Sequence, residues 1–162
     1  IWSFSSIGHI AGHDRLWLKI TLAAHLTAIA FWLGVLTPLK KLSASEETWP
    51  AAADLGHRFG QVAVILVPLA LVAGVYMSFI LVGSLNALVN TIYGQTLILK
   101  STLVSLLLAL AAANKFRFVP TLRQGNPQAA KKLIRSITAE WIVVFAILGI
   151  TAILTSSLNL PM

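Results

Sequence analysis

Four histidines are where this sequence could hold a transition metal or pass a proton: His9, His13, His25 and His57. There is no cysteine, which removes disulfides, thiolate metal sites and cysteine nucleophiles. His25 lies in an otherwise apolar stretch, with Trp32 seven residues on, two helical turns later and on the same face. A neutral imidazole there could ligate copper, zinc or haem iron, or transfer a proton. It could equally do no more than hydrogen-bond a neighbouring helix, and the residues leave both readings open. His9 and His13 are four apart and share a face if residues 4–16 are helical. Imidazoles at that spacing can chelate a soft or borderline metal. Gly8 and Gly12 weaken such a helix. The segment also reads as an amphipathic stretch on the outer leaflet, with Trp2, Phe4, Ile7 and Ile10 in lipid. His57 is expected at the opposite membrane edge, capping the second helix beside Arg58.

Two further ionisable groups fall in apolar surroundings, where they are costly and therefore candidates for function. Lys100 is expected a turn inside the third helix, its long stem carrying the ammonium to the outer interface. A cation is a poor neighbour for a metal ion, which counts against Lys100 as part of a metal site. Glu140 is expected to open the fourth helix, favoured there by the helix dipole and by Arg58, Lys115 and Arg117 at similar depth.

The elements that carry these residues follow from composition. Of 162 residues, 57% are hydrophobic and 10% charged, with a mean hydropathy of +0.85. A water-soluble domain carries roughly 25% charged residues, so lipid must bathe most of this chain. A helical span needs roughly 20 apolar residues to cross about 30 Å of hydrocarbon. Four stretches qualify, at about 17–39, 59–82, 95–116 and 138–158. Each reads as helix, because an isolated strand leaves its backbone groups unpaired in lipid. The expected fold is all-α: an amphipathic outer-side segment over 1–15, then a four-helix transmembrane domain over 16–162. Small residues recur every four positions: Ala70, Gly74 and Ser78; Ser101, Ser105, Ala109 and Ala113; Gly149, Ala152 and Ser156. Such stripes predict close helix contacts. Pro68 is expected to kink the second span.

The basic residues orient the chain. Lys40, Lys41 and Arg58 precede the second span, and Lys115, Arg117, Arg123, Lys131, Lys132 and Arg135 lie between the third and fourth. These are nine of the twelve Lys and Arg, whereas the segment from Gly83 to Gln95 has none. The positive-inside rule puts both basic loops in the cytoplasm and both termini outside. The net charge of +7 is thus accounted for by membrane anchoring, and no nucleic-acid partner is expected. Residues 1–19 lack the long apolar run of a signal peptide, so targeting is expected to reside in the spans. Outer-side segments lack nucleophile–base pairs apart from Asp14 near the histidines, so no enzyme activity is expected.

The pattern His25, Trp32-x-Gly34, Pro38-Leu39 resembles the first span of the CopD copper-resistance family. Tyr93-Gly94-Gln95-x-Leu97-x-Leu99-Lys100, Ala113-Asn114-Lys115, Pro120-x-Leu122 and Glu140 are similar to its third and fourth spans. The resemblance runs from about residue 16 to 158. It implies a four-helix module of the bacterial inner membrane, associated with copper transport, homeostasis or tolerance. It also implies a periplasmic copper-binding partner of the CopC type, and it weights His25, Trp32, Tyr93, Lys100, Asn114 and Glu140. Two methionines, Met77 and Met162, give no methionine ligand track. The alternatives are a b-type haem electron carrier, which needs His25 and a second axial ligand, and an accessory subunit of a larger membrane complex.

Orientation is open to direct measurement. Alkaline phosphatase fused after Met162 is expected to be active and a fluorescent protein there dark; the opposite pair of results would invert the assignment.

Overall fold

The computed structural model describes residues 16–82 and 84–156, which are helical apart from short turns. The amphipathic segment 1–15, with His9 and His13, lies outside the described residues. The elements run α1 (Leu16–Leu42), a 3-10 turn (Glu46–Thr48), α2 (Trp49–Val82), α3 (Leu85–Asn90) and α4 (Ile92–Ala113). A π-helical turn (Asn114–Phe118), α5 (Val119–Arg123) and α6 (Pro127–Ser156) complete the order. Four stretches are long and apolar enough to cross a membrane: Lys19–Leu42, Glu46–Ile80, Ile92–Arg123 and Pro127–Leu154. They outrun the spans read from hydropathy because helical backbone pairing continues into the polar interface, where apolar patterning has stopped.

α1 packs on α2, α4 packs on α6, and the short α5 joins α2 to α6. The main apolar core is gathered at the end carrying the basic segments. There Leu36 and Leu39 of α1, Ala52 of α2, Leu122 of α5, and Leu133 and Ile137 of α6 are buried together. A smaller cluster, Val82, Tyr93 and Leu154, closes the opposite end. Large apolar side chains elsewhere point outward: Phe79 is 74% exposed and Val72 68%. On these membrane-length helices such a surface is matched to hydrocarbon and not to water.

Turn chemistry sets where the helices stop. Ser43 Oγ donates to the Leu39 carbonyl, Thr48 Oγ1 to that of Leu42, and Trp49 Nε1 to that of Ser43. These side chains add hydrogen bonds at and just beyond the last turn of α1, where the Leu39 carbonyl also accepts from the Ser43 amide at 3.1 Å. Gly125, at φ 78°, turns the chain after α5. Asn126 Oδ1 then accepts from the Gln128 amide at 2.9 Å, capping α6 with Pro127 in its first position. Between the second and third spans the short, mostly apolar run Leu85–Asn90 forms α3, an element too short to register as a membrane-length stretch. Ser84 and Thr91 accept amide hydrogens at the starts of α3 and α4.

Only one of the three small-residue stripes is used for close packing as predicted. Gly74 on α2 lies under His25 of α1, where an added Cβ would stand 3.5 Å from the imidazole Cε1. Ser101, Ser105 and Ala109 of α4 are exposed, the two hydroxyls turned back to carbonyls of their own helix. Gly149 of α6 meets nothing within 4 Å. Small side chains permit close approach but do not compel it.

Glycine is required at the α3–α4 corner. A Cβ on Gly94 would lie 2.2 Å from the Leu88 carbonyl oxygen, a backbone atom that cannot swing away. Gly94→Ala is expected to cost about 1–3 kcal/mol, seen as a lower thermal unfolding midpoint in detergent. Gly149→Ala serves as the neutral control; equal midpoints for the two variants would contradict this packing.

Candidate functional site

The structure brings Trp32, Asn114 and Glu140 together inside the bundle, from α1, the π-helical turn and α6. Glu140 is 1% exposed. Trp32 Nε1 donates to its Oε2 at 3.2 Å, and Asn114 Nδ2 donates to Oε1. This corrects the sequence-based placement of Glu140 at the head of its helix among cations. α6 begins at Pro127, so Glu140 lies 13 residues in, about 20 Å along the axis. Two of the three expected cations are engaged elsewhere. Arg58 pairs with Asp54 at 2.9 Å, and Lys115 Nζ donates to the Gly60 carbonyl at 2.8 Å.

Helix geometry explains why Asn114 is available. It opens the π-helical turn, and Pro120 follows closely in α5. A proline has no amide hydrogen, and its ring collides with the carbonyl four residues back. The wider π turn lies over the residues where that conflict falls, and such turns recur at functional sites. Asn114 Oδ1 is buried without a hydrogen-bond partner among the described residues. A carboxylate beside an unfilled carbonyl oxygen makes an oxygen-rich spot that suits a cation or a hydrated ion.

His25 and Lys100 form a second polar pair nearer the other end of the bundle. His25 Nδ1 is 3.0 Å from the Ala70 carbonyl of α2. A carbonyl can only accept, so Nδ1 carries the hydrogen and Nε2 presents its lone pair. Metal-ligating histidines are commonly held this way. Lys100 of α4 is another basic group placed within a span. It lies eight residues after Ile92, more than two turns into α4 and not one as expected.

The remaining sequence-predicted residues fall apart from these groups. Tyr93 is buried beside Val82 and Leu154 at the far end. His57 does not cap α2, which starts eight residues earlier at Trp49; it is exposed on the helix surface. His25 meets α2 at Ala70, 13 residues beyond His57, so the two histidines are separated by about 20 Å along α2. They cannot ligate one haem as a pair.

An apolar cleft of about 370 Å³ opens beside the buried carboxylate, with Trp32, Asn114 and Glu140 among its walls. It shares the lining residues Gly56, Lys115 and Val119 with a second, mostly apolar pocket of about 320 Å³ at the basic end, whose lining includes Arg123. Among the described residues there is no group of three or more His, Asp or Glu arranged to hold a metal ion. Sequence reasoning missed two partners, the Ala70 carbonyl and the Gly60–Lys115 contact. Both involve backbone oxygens, which a residue pattern does not display.

A family model described as copper resistance protein D, CopD, matches residues 53–154. The chain is 31% identical over 135 residues to the copper transport protein CutJ of Bacillus subtilis, covering 82% of this chain and 24% of that protein. It is 31% identical over 160 residues to the inner membrane protein YebZ of Escherichia coli, covering 94% of this chain and 54% of that protein. The chain thus spans about a quarter and about half the length of these two relatives. No solved structure matches.

Removing the carboxylate strands two donors. Glu140→Ala is expected to lower unfolding stability by about 1–3 kcal/mol for each unpaired group. Glu140→Gln, which keeps acceptor capacity, should cost less. Equal stability of the wild type and Glu140→Ala in a detergent unfolding series would show that these hydrogen bonds do not hold the bundle.

Proposed function

This chain belongs to the CopD, copper resistance protein D, family, and on that premise we propose that it moves copper in the bacterial inner membrane. Copper is the cargo, with no chemical turnover, and the biological outcome is copper homeostasis or resistance. The supporting observation is His25, whose Nδ1 is held by the Ala70 carbonyl, leaving on Nε2 the lone pair that a metal needs. A half-buried histidine within a membrane span has a desolvation cost that a purely structural role explains less well.

In this reading copper reaches His25 from the side opposite the basic segments, the periplasmic side under the positive-inside rule. The same rule assigns the N-terminal segment to that side, and His9 and His13, which lie outside the described residues, are proposed as capture ligands. A periplasmic copper-binding protein is the natural donor or acceptor there, and a larger membrane complex is the other setting in which the chain would act. Glu140 lies near Trp32, seven residues beyond His25 on α1, about 10 Å along the axis. Its carboxylate offsets positive charge in the middle of the bundle.

The reading is tested by the copper content of bacteria producing the full chain against those carrying an empty vector. Production is expected to change cell copper and leave zinc unaltered. His25→Ala at equal protein level should return copper to the vector value. Equal copper with and without the protein would overturn the reading, and full activity of His25→Ala would remove His25 from it.

A further inference from the structure

The pocket at the basic end, where cationic side chains stand among apolar ones, and the apolar cleft that shares three of its lining residues have the chemistry of an amphiphile site. The pocket is walled by His57 and Gln61 of α2, Lys115 of the π-helical turn, Arg123 of α5, and Gln124. No carboxylate contributes to its wall among the described residues. The nearest acid in sequence, Asp54, pairs with Arg58 at 2.9 Å. Lys115 is fixed where it stands. Its ammonium donates to the Gly60 carbonyl at 2.8 Å, and its stem lies across Gly60, where a Cβ would come within 3.3 Å of Cγ and Cδ. Two of its three N–H groups remain to meet an anion.

From this pocket the cleft runs inward along α2 from Gly56 to Pro68, walled by α1 and by Leu108, Ala111 and Ala112 of α4. Those 12 residues of α2 measure about 18 Å. Half of the hydrocarbon core is about 15 Å. The cleft therefore begins at Lys115, which it shares with the pocket that also holds Arg123, and extends over a length comparable to one leaflet, with Glu140 and Asn114 as polar groups on its wall.

We infer that the basic pocket and the apolar cleft together hold one anionic phospholipid, its phosphodiester among His57, Lys115 and Arg123 and one acyl chain in the cleft. Basic pockets between transmembrane helices bind anionic headgroups by this chemistry. The occupant is taken from the bilayer and not from solution, because a free phosphate would leave the adjoining apolar cleft unmatched.

The test is native mass spectrometry of the full chain in neutral detergent, titrated with phosphatidylglycerol or phosphatidylcholine of identical chains. Phosphatidylglycerol is expected to bind about tenfold more tightly, and Lys115→Gln with Arg123→Gln should abolish that preference. Ala112→Phe, which fills the cleft without altering charge, should weaken both lipids; Arg123→Gln alone, at an exposed position, guards against loss of fold. Equal affinity for the two lipids, or a preference untouched by the charge substitutions, would overturn the inference. Inorganic phosphate competing as strongly as phosphatidylglycerol would overturn the bilayer as the source.

Discussion

Moving a carboxylate from water into the interior of a membrane protein is tolerable only if other groups replace its hydration. Glu140 is that carboxylate here, and much of the bundle is arranged around meeting its requirement. Trp32 must present its indole N–H from α1, which fixes the rotation of α1 against α6. Asn114 must present its amide from the end of α4, which fixes the wider π turn against the same helix. One side chain thereby sets the relative placement of three transmembrane elements.

Packing follows from the same constraint. The apolar core lies one turn to the basic side of this network: Leu36 after Trp32, Val119 after Asn114, and Ile137 before Glu140. Toward the other end the helices touch mainly through His25 on the Ala70–Gly74 face of α2 and through the small cluster around Tyr93. A polar network backed by a dry core on one side, with a cleft opening beside it, can be both rigid and accessible. That combination suits a site that must accept and release a small cation.

How much of this was legible in the sequence depends on the kind of information involved. Four spans were readable because hydrocarbon thickness sets a length that composition must honour. Trp32, Asn114 and Glu140 were noticed individually, but their meeting was not readable: Trp32 and Glu140 are 108 positions apart. No periodic pattern relates the two helix faces. Glu140 was misplaced because the apolar run begins only at Trp141, while the helix itself begins at Pro127. Hydropathy marks where lipid begins and not where backbone pairing begins. The stripes on α4 and α6 misled for a different reason: a small residue is compatible with both a tight contact and a lipid-facing surface. The histidine on α1 gained its meaning only from a backbone carbonyl, which every residue possesses.

The central claim, that the indole of Trp32 and the carboxylate of Glu140 bind one another across the bundle, is tested most directly by a double-mutant cycle. Trp32→Phe, Glu140→Ala and the double variant would be unfolded in the same detergent and compared with the wild type. A coupling energy of about 1 kcal/mol is expected for residues in direct contact. Strict additivity, within about 0.3 kcal/mol, would mean that the two side chains do not interact and that the carboxylate is satisfied in some other way.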